Sequence, residues 1–286
     1  MESVKIESFI SVSSLQKSFK TNHVLKDVSF NIRKGSIFAL LGSNGAGKTT
    51  AVKILSTLLK PDGGKATICG HDVQREGDAV RAMISLTGQF AAVDEVLTGR
   101  ENLQIIGELK RIPHTKSKVG EWLATFDLQD AADRPVSTYS GGMRRRLDIA
   151  MSLMGAPEVI FLDEPTTGLD PQNRLAMWDL VKNLAKDGTT VFLTTQYLEE
   201  AEHLADTIAI LHEGRIIAQG TPGKLKTIMP QRGAQLNFAS DADAEKALQL
   251  LQESGIAVGG LTPNMPSLEE VFLTLIGEKK EGESHE

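Results

Sequence analysis

A chain of 286 residues with one cysteine, Cys69, has no partner for an intrachain disulfide and too few thiolates for a cysteine-built zinc site. That usage fits a reducing compartment, and the expected location is the cytoplasm. Positive charge is not in excess. The 31 Lys and Arg stand against 37 Asp and Glu, a net charge of −6. No global field gathers phosphate backbones or anionic lipid, and nucleic acid is not expected as a partner. Long apolar runs are lacking too: the longest, Ile37 to Leu41, is far short of a bilayer span. Met1 to Ser11 carries two glutamates and no apolar stretch of signal-peptide length. The chain is expected neither to be secreted nor to cross a membrane by itself. What remains is an ordinary globular composition, 41% hydrophobic and 24% charged, long enough for a large domain and a small one.

Strand and helix signals alternate along it. Ser11–Phe19 and Val24–Ile32, joined by the polar Lys20–His23, read as an antiparallel pair. Ser36 to Leu41 is continuous and apolar apart from its first residue, as in a strand covered on both faces, and Lys48 to Leu59 has helical spacing. Further buried strands are expected at Val159–Leu162 and Thr190–Thr194. Strands separated by helices indicate a parallel sheet. Residues from about 94 to 155 read as a helical insertion. Thr207–Leu211 and Arg215–Ala218 form a pair about Glu213-Gly214. Pro222 and Pro230 mark a linker, 221–234, that closes a first domain of residues 1–220. Residues 235–277 read as a small α/β appendage: strand Gln235–Phe238, helix Ala242–Ser254, strand Ile256–Leu261 and helix Ser267–Gly277. A charged tail, 278–286, is expected to be disordered.

Chemistry enters at Gly42-Ser43-Asn44-Gly45-Ala46-Gly47-Lys48-Thr49, which fits G-x-x-x-x-G-K-[ST] between a buried strand and a helix. Such a loop turns its backbone N–H groups and the positive end of the helix onto a phosphate. Lys48 is placed to reach the β- and γ-phosphates, Thr49 to ligate Mg²⁺, and Thr50 to join the nucleotide contacts. The glycine spacing fails G-x-G-x-x-G, so a dinucleotide is excluded and the ligand is a nucleoside triphosphate. Ile160-Phe161-Leu162-Asp163-Glu164 delivers two carboxylates at a strand end: Asp163 to hold Mg²⁺, Glu164 to orient or deprotonate the attacking water. Ser140-Gly141-Gly142-Met143 opens a helix whose buried face runs through Leu147, Ala150, Met151 and Met154, with Ser140 as N-cap and a second anion position at its start. The run Arg144-Arg145-Arg146 is expected to form a solvated face with partner contacts, and His203 to lie on the surface.

Phosphate loop, Ser140-Gly141-Gly142, Asp163-Glu164 and Thr167-Gly168-Leu169-Asp170, in this order, resemble the nucleotide-binding subunit of ATP-binding cassette transporters from Ser11 to about Gly220. Finer stretches are similar to the daunorubicin/doxorubicin-resistance branch of multidrug exporters: Thr87-Gly88-Gln89-Phe90, Leu97 to Leu103, Thr194 to Ala201 and Ser267 to Phe272. The resemblance implies an α/β fold: a P-loop NTPase core with an antiparallel β subdomain, a helical insertion and the appendage. It implies a head-to-tail homodimer in which ATP on one phosphate loop is closed over by Ser140 and Gly142 of the other copy. Gln89 would contact Mg²⁺ and the attacking water. Phe19 would stack on adenine, with a core phenylalanine as the competing reading. Asp170 would sit at the subunit interface, or simply form an Asp-Pro turn.

Two positions depart from that family. Tyr139 and Met143 flank Ser-Gly-Gly where Leu and Gln are usual, and Gln196 replaces the usual switch histidine, so it either contacts the γ-phosphate or caps the next helix. The chain is thus expected to be a Mg²⁺-dependent ATPase, peripheral on the inner face of the membrane, powering a separate ABC-2-type transmembrane permease that exports a drug, antibiotic or other amphipathic compound. Lipid or ion export and a non-transport regulatory ATPase are the alternatives. A single phosphate loop argues against two-cassette translation factors, intact Glu164 against a non-hydrolysing switch, and Ser140-Gly141-Gly142 against a metabolic kinase.

Overall fold

The computed structural model describes residues 8–88, 91–227 and 240–254. The chain divides into two compact units, residues 1–221 and 222–286. In the first, ten strands form one sheet in the order β5-β4-β1-β2-β10-β9-β3-β8-β7-β6 among the described residues. β1 (Ile10–Phe19) and β2 (Asn22–Ile32) pair antiparallel, and β4 (Gly63–Ile68) and β5 (His71–Asp72) extend that edge. β3 (Ile37–Leu41), β8 (Thr190–Thr195), β7 (Val159–Asp163) and β6 (Ile84–Thr87) are mutually parallel. β9 (Thr207–His212) lies parallel to β3 and pairs antiparallel with β10 (Arg215–Gly220).

The reason for the parallel half is legible in its side chains. All five residues of β3, all five of β7 and all six of β8 are buried, as required where both sheet faces are covered. Phe30, Phe38, Phe192 and Phe161 run through this core in successive contact, with centroids 4.8, 5.4 and 5.3 Å apart. Each such side chain contributes roughly 1.5–3 kcal/mol by its burial.

Helices α1 (Lys48–Leu55), α2 (Gly77–Met83), α6 (Pro171–Lys186) and α7 (Leu198–Leu204) alternate with these strands. The insertion carries α3 (Gly99–Leu109), α4 (Thr115–Thr125) and α5 (Gly141–Leu153). A capping box starts α3: Thr98 accepts from the Glu101 N–H, and the Glu101 carboxylate accepts from the Thr98 N–H.

Several expectations are corrected here. α1 stops at Leu55 rather than Leu59, because Ser56 takes the C-cap and Thr57 turns left-handed at φ 64°. Residues 63–87 hold β4, β5, α2 and β6, none of which has a long enough apolar period to stand out in the sequence. The segment 221–234 is not all linker, since α8 (Pro222–Lys226) opens on a proline whose missing N–H costs nothing in a first turn. In the second unit α9 (Asp241–Glu253) occupies the place of the expected helix. The strands at 235–238 and 256–261, the helix at 267–277 and the tail lie outside the described residues.

Candidate active site

The loop from Gly42 to Gly47 joins buried β3 to α1 and is anchored by the Gly42 N–H donating to the Thr195 carbonyl of β8 at 3.1 Å. Gly47 caps α1 at φ 111°, and a Cβ there would meet Leu25 Cδ2 at 2.7 Å. Only glycine serves at that position. Lys48, 5% exposed, extends along the loop: Nζ donates to the carbonyls of Gly42 (2.8 Å) and Ser43 (3.2 Å) and pairs with Glu164 Oε1 at 3.2 Å. The phosphate-binding lysine and the water-orienting carboxylate of the sequence expectation are therefore direct neighbours.

β7 carries Asp163 at its end. Its Oδ1 accepts from Thr194 Oγ1 (2.5 Å) and lies 3.4 Å from the Thr49 hydroxyl. Thr49 and Asp163 thus present an oxygen-only donor set, the chemistry a hard divalent cation requires. Thr194, which the sequence did not mark, also receives the Glu164 N–H at its carbonyl and at its hydroxyl, both at 3.1 Å. A threonine at the end of a buried strand carries no sequence signal for such a role.

A cavity of about 670 Å³ gathers Asn44, Gly45, Lys48, Thr49, Thr50, Glu164 and Gln196 along its wall. Gln196 stands between β8 and α7. The N-cap of α7 is Tyr197, without a side-chain cap bond, so nothing in the helix start supports the capping reading of Gln196. Phe19 is 47% exposed at the end of β1, with Lys17 Nζ 5.5 Å from its ring centroid, which removes the core-phenylalanine reading. It does not line this cavity, although its register partner Asn22 does. Gln89 lies outside the described residues.

The signature segment does not line that cavity, although Gly141 shares a second one with Glu164 and Thr167. Ser140 caps α5, its hydroxyl accepting from the Met143 N–H at 3.2 Å, and both Ser140 and Gly141 are exposed. Gly142 is buried, and a Cβ on it would collide with the Asn173 side chain. Asn173 is itself held by Asp170: its N–H donates to Oδ1 at 2.9 Å and its Nδ2 to Oδ2 at 2.6 Å. Asp170 is the N-cap of α6 with Pro171 behind it, and the Asn173 N–H bond holds its carboxyl below the usual range. Tyr139, in the unusual flanking position, is buried with its hydroxyl donating to the Ala131 carbonyl at 2.7 Å.

The arginine run is also corrected. Arg145 is only 6% exposed and reaches Asp148 and three backbone carbonyls inside the molecule, because α5 turns that side toward the sheet. Arg144 pairs with Glu95, and Arg146 with Asp127. Burial works against the charge of Arg145 and raises the carboxyl of Asp148. His203 is exposed as expected, stacked on Trp178 at 4.6 Å.

Glycine loop, buried lysine, hydroxyl–carboxylate pair and a second carboxylate at the end of a parallel strand define a P-loop nucleoside-triphosphate site. The family model for ABC transporters matches residues 25–167. Daunorubicin resistance ATP-binding protein DrrA3 of Streptomyces coeruleorubidus is 42% identical over 96% of this chain and 98% of its own. Nod factor export ATP-binding protein I of Ralstonia nicotianae is 41% identical over 76% of this chain and 68% of its own. A solved dimeric ATP-binding cassette, in a post-hydrolysis state with ADP and Pi, is 25% identical and covers 74% of this chain and 98% of that one, with a TM-score of 0.66. The chain belongs to the ATP-binding cassette transporter family. It is an ATP-binding ATPase subunit homologous to drug-resistance exporter ATPases, with the α/β cassette fold expected from its sequence.

Proposed function

We propose that two copies of this chain close head-to-tail over two ATP–Mg²⁺ and that hydrolysis drives a separate ABC-2-type membrane permease exporting a drug or another amphipathic compound. One observation carries the reading: the cavity holds Lys48, Thr49, Glu164 and Gln196 but not Ser140, whose helix start is exposed outside it, beside a second cavity that Gly141 shares with Glu164. A hydrolytic site that must neutralise a γ-phosphate then gains its remaining donors from a second copy. The relative named for daunorubicin resistance and the one named for Nod factor export support an exported organic cargo, and the dimeric neighbour supports pairing.

In this reading the loop N–H groups and Lys48 bind the phosphates, and Phe19 offers an exposed ring to adenine. Thr49, Asp163 and Gln89 would hold Mg²⁺, which would supply neutralisation of the phosphate charge. Glu164 leaves its pairing with Lys48 to accept a proton from the attacking water, and the Gln196 amide donates to the γ-phosphate without titrating. Asp170 stands at the interface, and the appendage supports assembly or the permease. The subunit is then peripheral on the inner face of the membrane, held there by the permease.

The test is assembly of the full chain with ATP–Mg²⁺, followed by light scattering, with the parent and Glu164→Gln compared. A dimer that accumulates with nucleotide in the variant supports the reading; monomers at saturating ATP contradict it. Coexpression with a multi-span membrane protein lacking its own ATPase should give a copurifying complex whose ATP hydrolysis exceeds that of the chain alone.

A further inference from the structure

Glu164 has a backbone φ of 50°. A non-glycine residue pays for that left-handed conformation and keeps it only where its surroundings over-determine it. Here the surroundings are specific. The carbonyl before Glu164, that of Asp163, accepts from Arg145 Nη2 at 3.3 Å, and the carbonyl after it, that of Pro165, accepts from Arg145 Nε at 3.1 Å. The remaining donor nitrogen, Nη1, takes the Gly88 carbonyl at 2.5 Å and Asp148 Oδ2 at 3.3 Å. Asp148 Oδ1 in turn accepts the Ala92 N–H at 3.0 Å.

A planar guanidinium spreads its donors over three nitrogens in a fixed fork, so it spans the carbonyls on either side of one residue, keeps a carboxylate partner and fixes their mutual geometry; an ammonium offers its three donors from a single point and fixes none. An ion pair whose only purpose was to seat α5 on the sheet would not need to be aimed at the carbonyls of the two residues that flank the strained one. We infer that Arg145, oriented by Asp148, is a positioning residue for Glu164: it holds the Asp163–Pro165 backbone in the turn that directs the Glu164 carboxylate into the cavity. The helix that begins at Ser140 is thereby tied to the group that handles the attacking water. This inference rests on the reading of Glu164 given above.

The experiment uses the full-length chain and measures turnover at saturating ATP–Mg²⁺, affinity for a fluorescent ATP analogue, thermal stability and amide exchange at Glu164. Two variants are compared with the parent: Arg145→Lys, and the neutral double change Arg145→Met with Asp148→Asn, which strands no charge in the interior and leaves Ala92 an acceptor. Both are repeated on the Glu164→Gln background.

Turnover should fall at least tenfold in each variant with analogue affinity within about twofold of the parent, and lysine should not rescue. Exchange at the Glu164 amide should rise at least tenfold in the neutral variant. On the Glu164→Gln background the same changes should cost less than about twofold more, because residues that act as a unit are not additive. Parental turnover, a loss that multiplies in full on the Glu164→Gln background, or unchanged exchange at Glu164 would each overturn the positioning role. Parental turnover of Glu164→Gln alone would instead overturn the reading of Glu164 itself, so the two failures separate.

Discussion

Two regions of the first unit bear on one reaction and are built in opposite ways. Around the phosphate loop the polar groups are buried and engaged with one another: Lys48 and Asp163 are each 5% exposed, and the carboxylate of Glu164 already touches Lys48. Around the signature segment, Ser140, Gly141 and Asp170 are exposed and engaged only locally, through cap bonds to Met143 and Asn173. Buried polar groups that satisfy each other make a preorganised site, and that is the condition for chemistry. An exposed helix start with small residues is a surface others can approach. The first region needs no second copy to be well formed; in the second, the Ser140 hydroxyl is engaged in its own cap, although Gly141 shares a second cavity with Glu164.

If that contrast is right, damage to the first region should appear in the chemical step and damage to the second in assembly. The largest effect is expected for Glu164→Gln. The amide cannot take the proton, and loss of a general base costs about 10²–10⁴ in turnover. Single-turnover hydrolysis checks it, and a variant within threefold of the parent would remove Glu164 from that role.

Gln196→Ala should follow. A hydrogen bond to a charged group contributes about 1.5–3 kcal/mol, roughly 10–150-fold if it strengthens in the transition state. Gln196→His should restore activity and bring a pH dependence near 6–7, where imidazole titrates. Equal rates for Gln196→Ala and the parent, measured in the assembled complex, would leave Gln196 as a mere cavity-wall residue.

Gly142→Ala probes the second region. Its methyl group would push Asn173 off Asp170, an overpacking cost of about 1–3 kcal/mol in stability. Affinity for ATP in the isolated chain should hold while nucleotide-dependent dimer is lost. If the variant binds ATP poorly as a monomer, the two regions are not separable in the way their exposure suggests.

How much of this was legible in the sequence follows from the range of each interaction. Lys48, Thr49, Asp163 and Glu164 were readable because strand-loop-helix and strand-end motifs are local, and β3, β7 and β8 because residues buried on both faces leave continuous apolar runs. Ser140 was readable as a cap for the same reason, whereas Asp170, expected at the interface or in an Asp-Pro turn, shows its cap role only in the structure. Arg145 was misread as solvated, since three consecutive charges give no hint that the middle one turns inward onto carbonyls from two other strands' ends. Thr194 was passed over because its partners, Asp163 and Glu164, are adjacent only after β7 and β8 pair. The short β4, β5 and β6 were missed because GGKATI, HD and ISLT, unlike β3, β7 and β8, hold no continuous apolar run to set them off from loop.

The smallest effect is expected at Glu200, which joins the two regions without belonging to either. It is fully buried on α7, and its Oε1 accepts from Thr166 Oγ1 at 2.8 Å, on the segment that leads to Asp170, and from Trp178 Nε1 at 3.3 Å on α6. Burial raises its carboxyl above the ordinary range, against the opposing influence of the Thr195 and Thr166 hydroxyls, the Trp178 indole and Arg174. A raised pKa means that the folded chain holds this proton more tightly than the unfolded chain. The stability it contributes is present in full below the ordinary glutamate pKa, about 4.3, and is lost as pH rises through the higher native value. Glu200→Gln keeps an acceptor for both donors but removes the titration. The variant should therefore gain thermal stability on the parent as pH rises from 4 toward 8, by about 2–4 °C for each kcal/mol involved, with the gain smallest at the acid end. Melting curves of both proteins across that range decide it. A difference in melting temperature that is flat with pH would mean that Glu200 keeps its charge in the folded chain, and that the polar groups around it outweigh its burial.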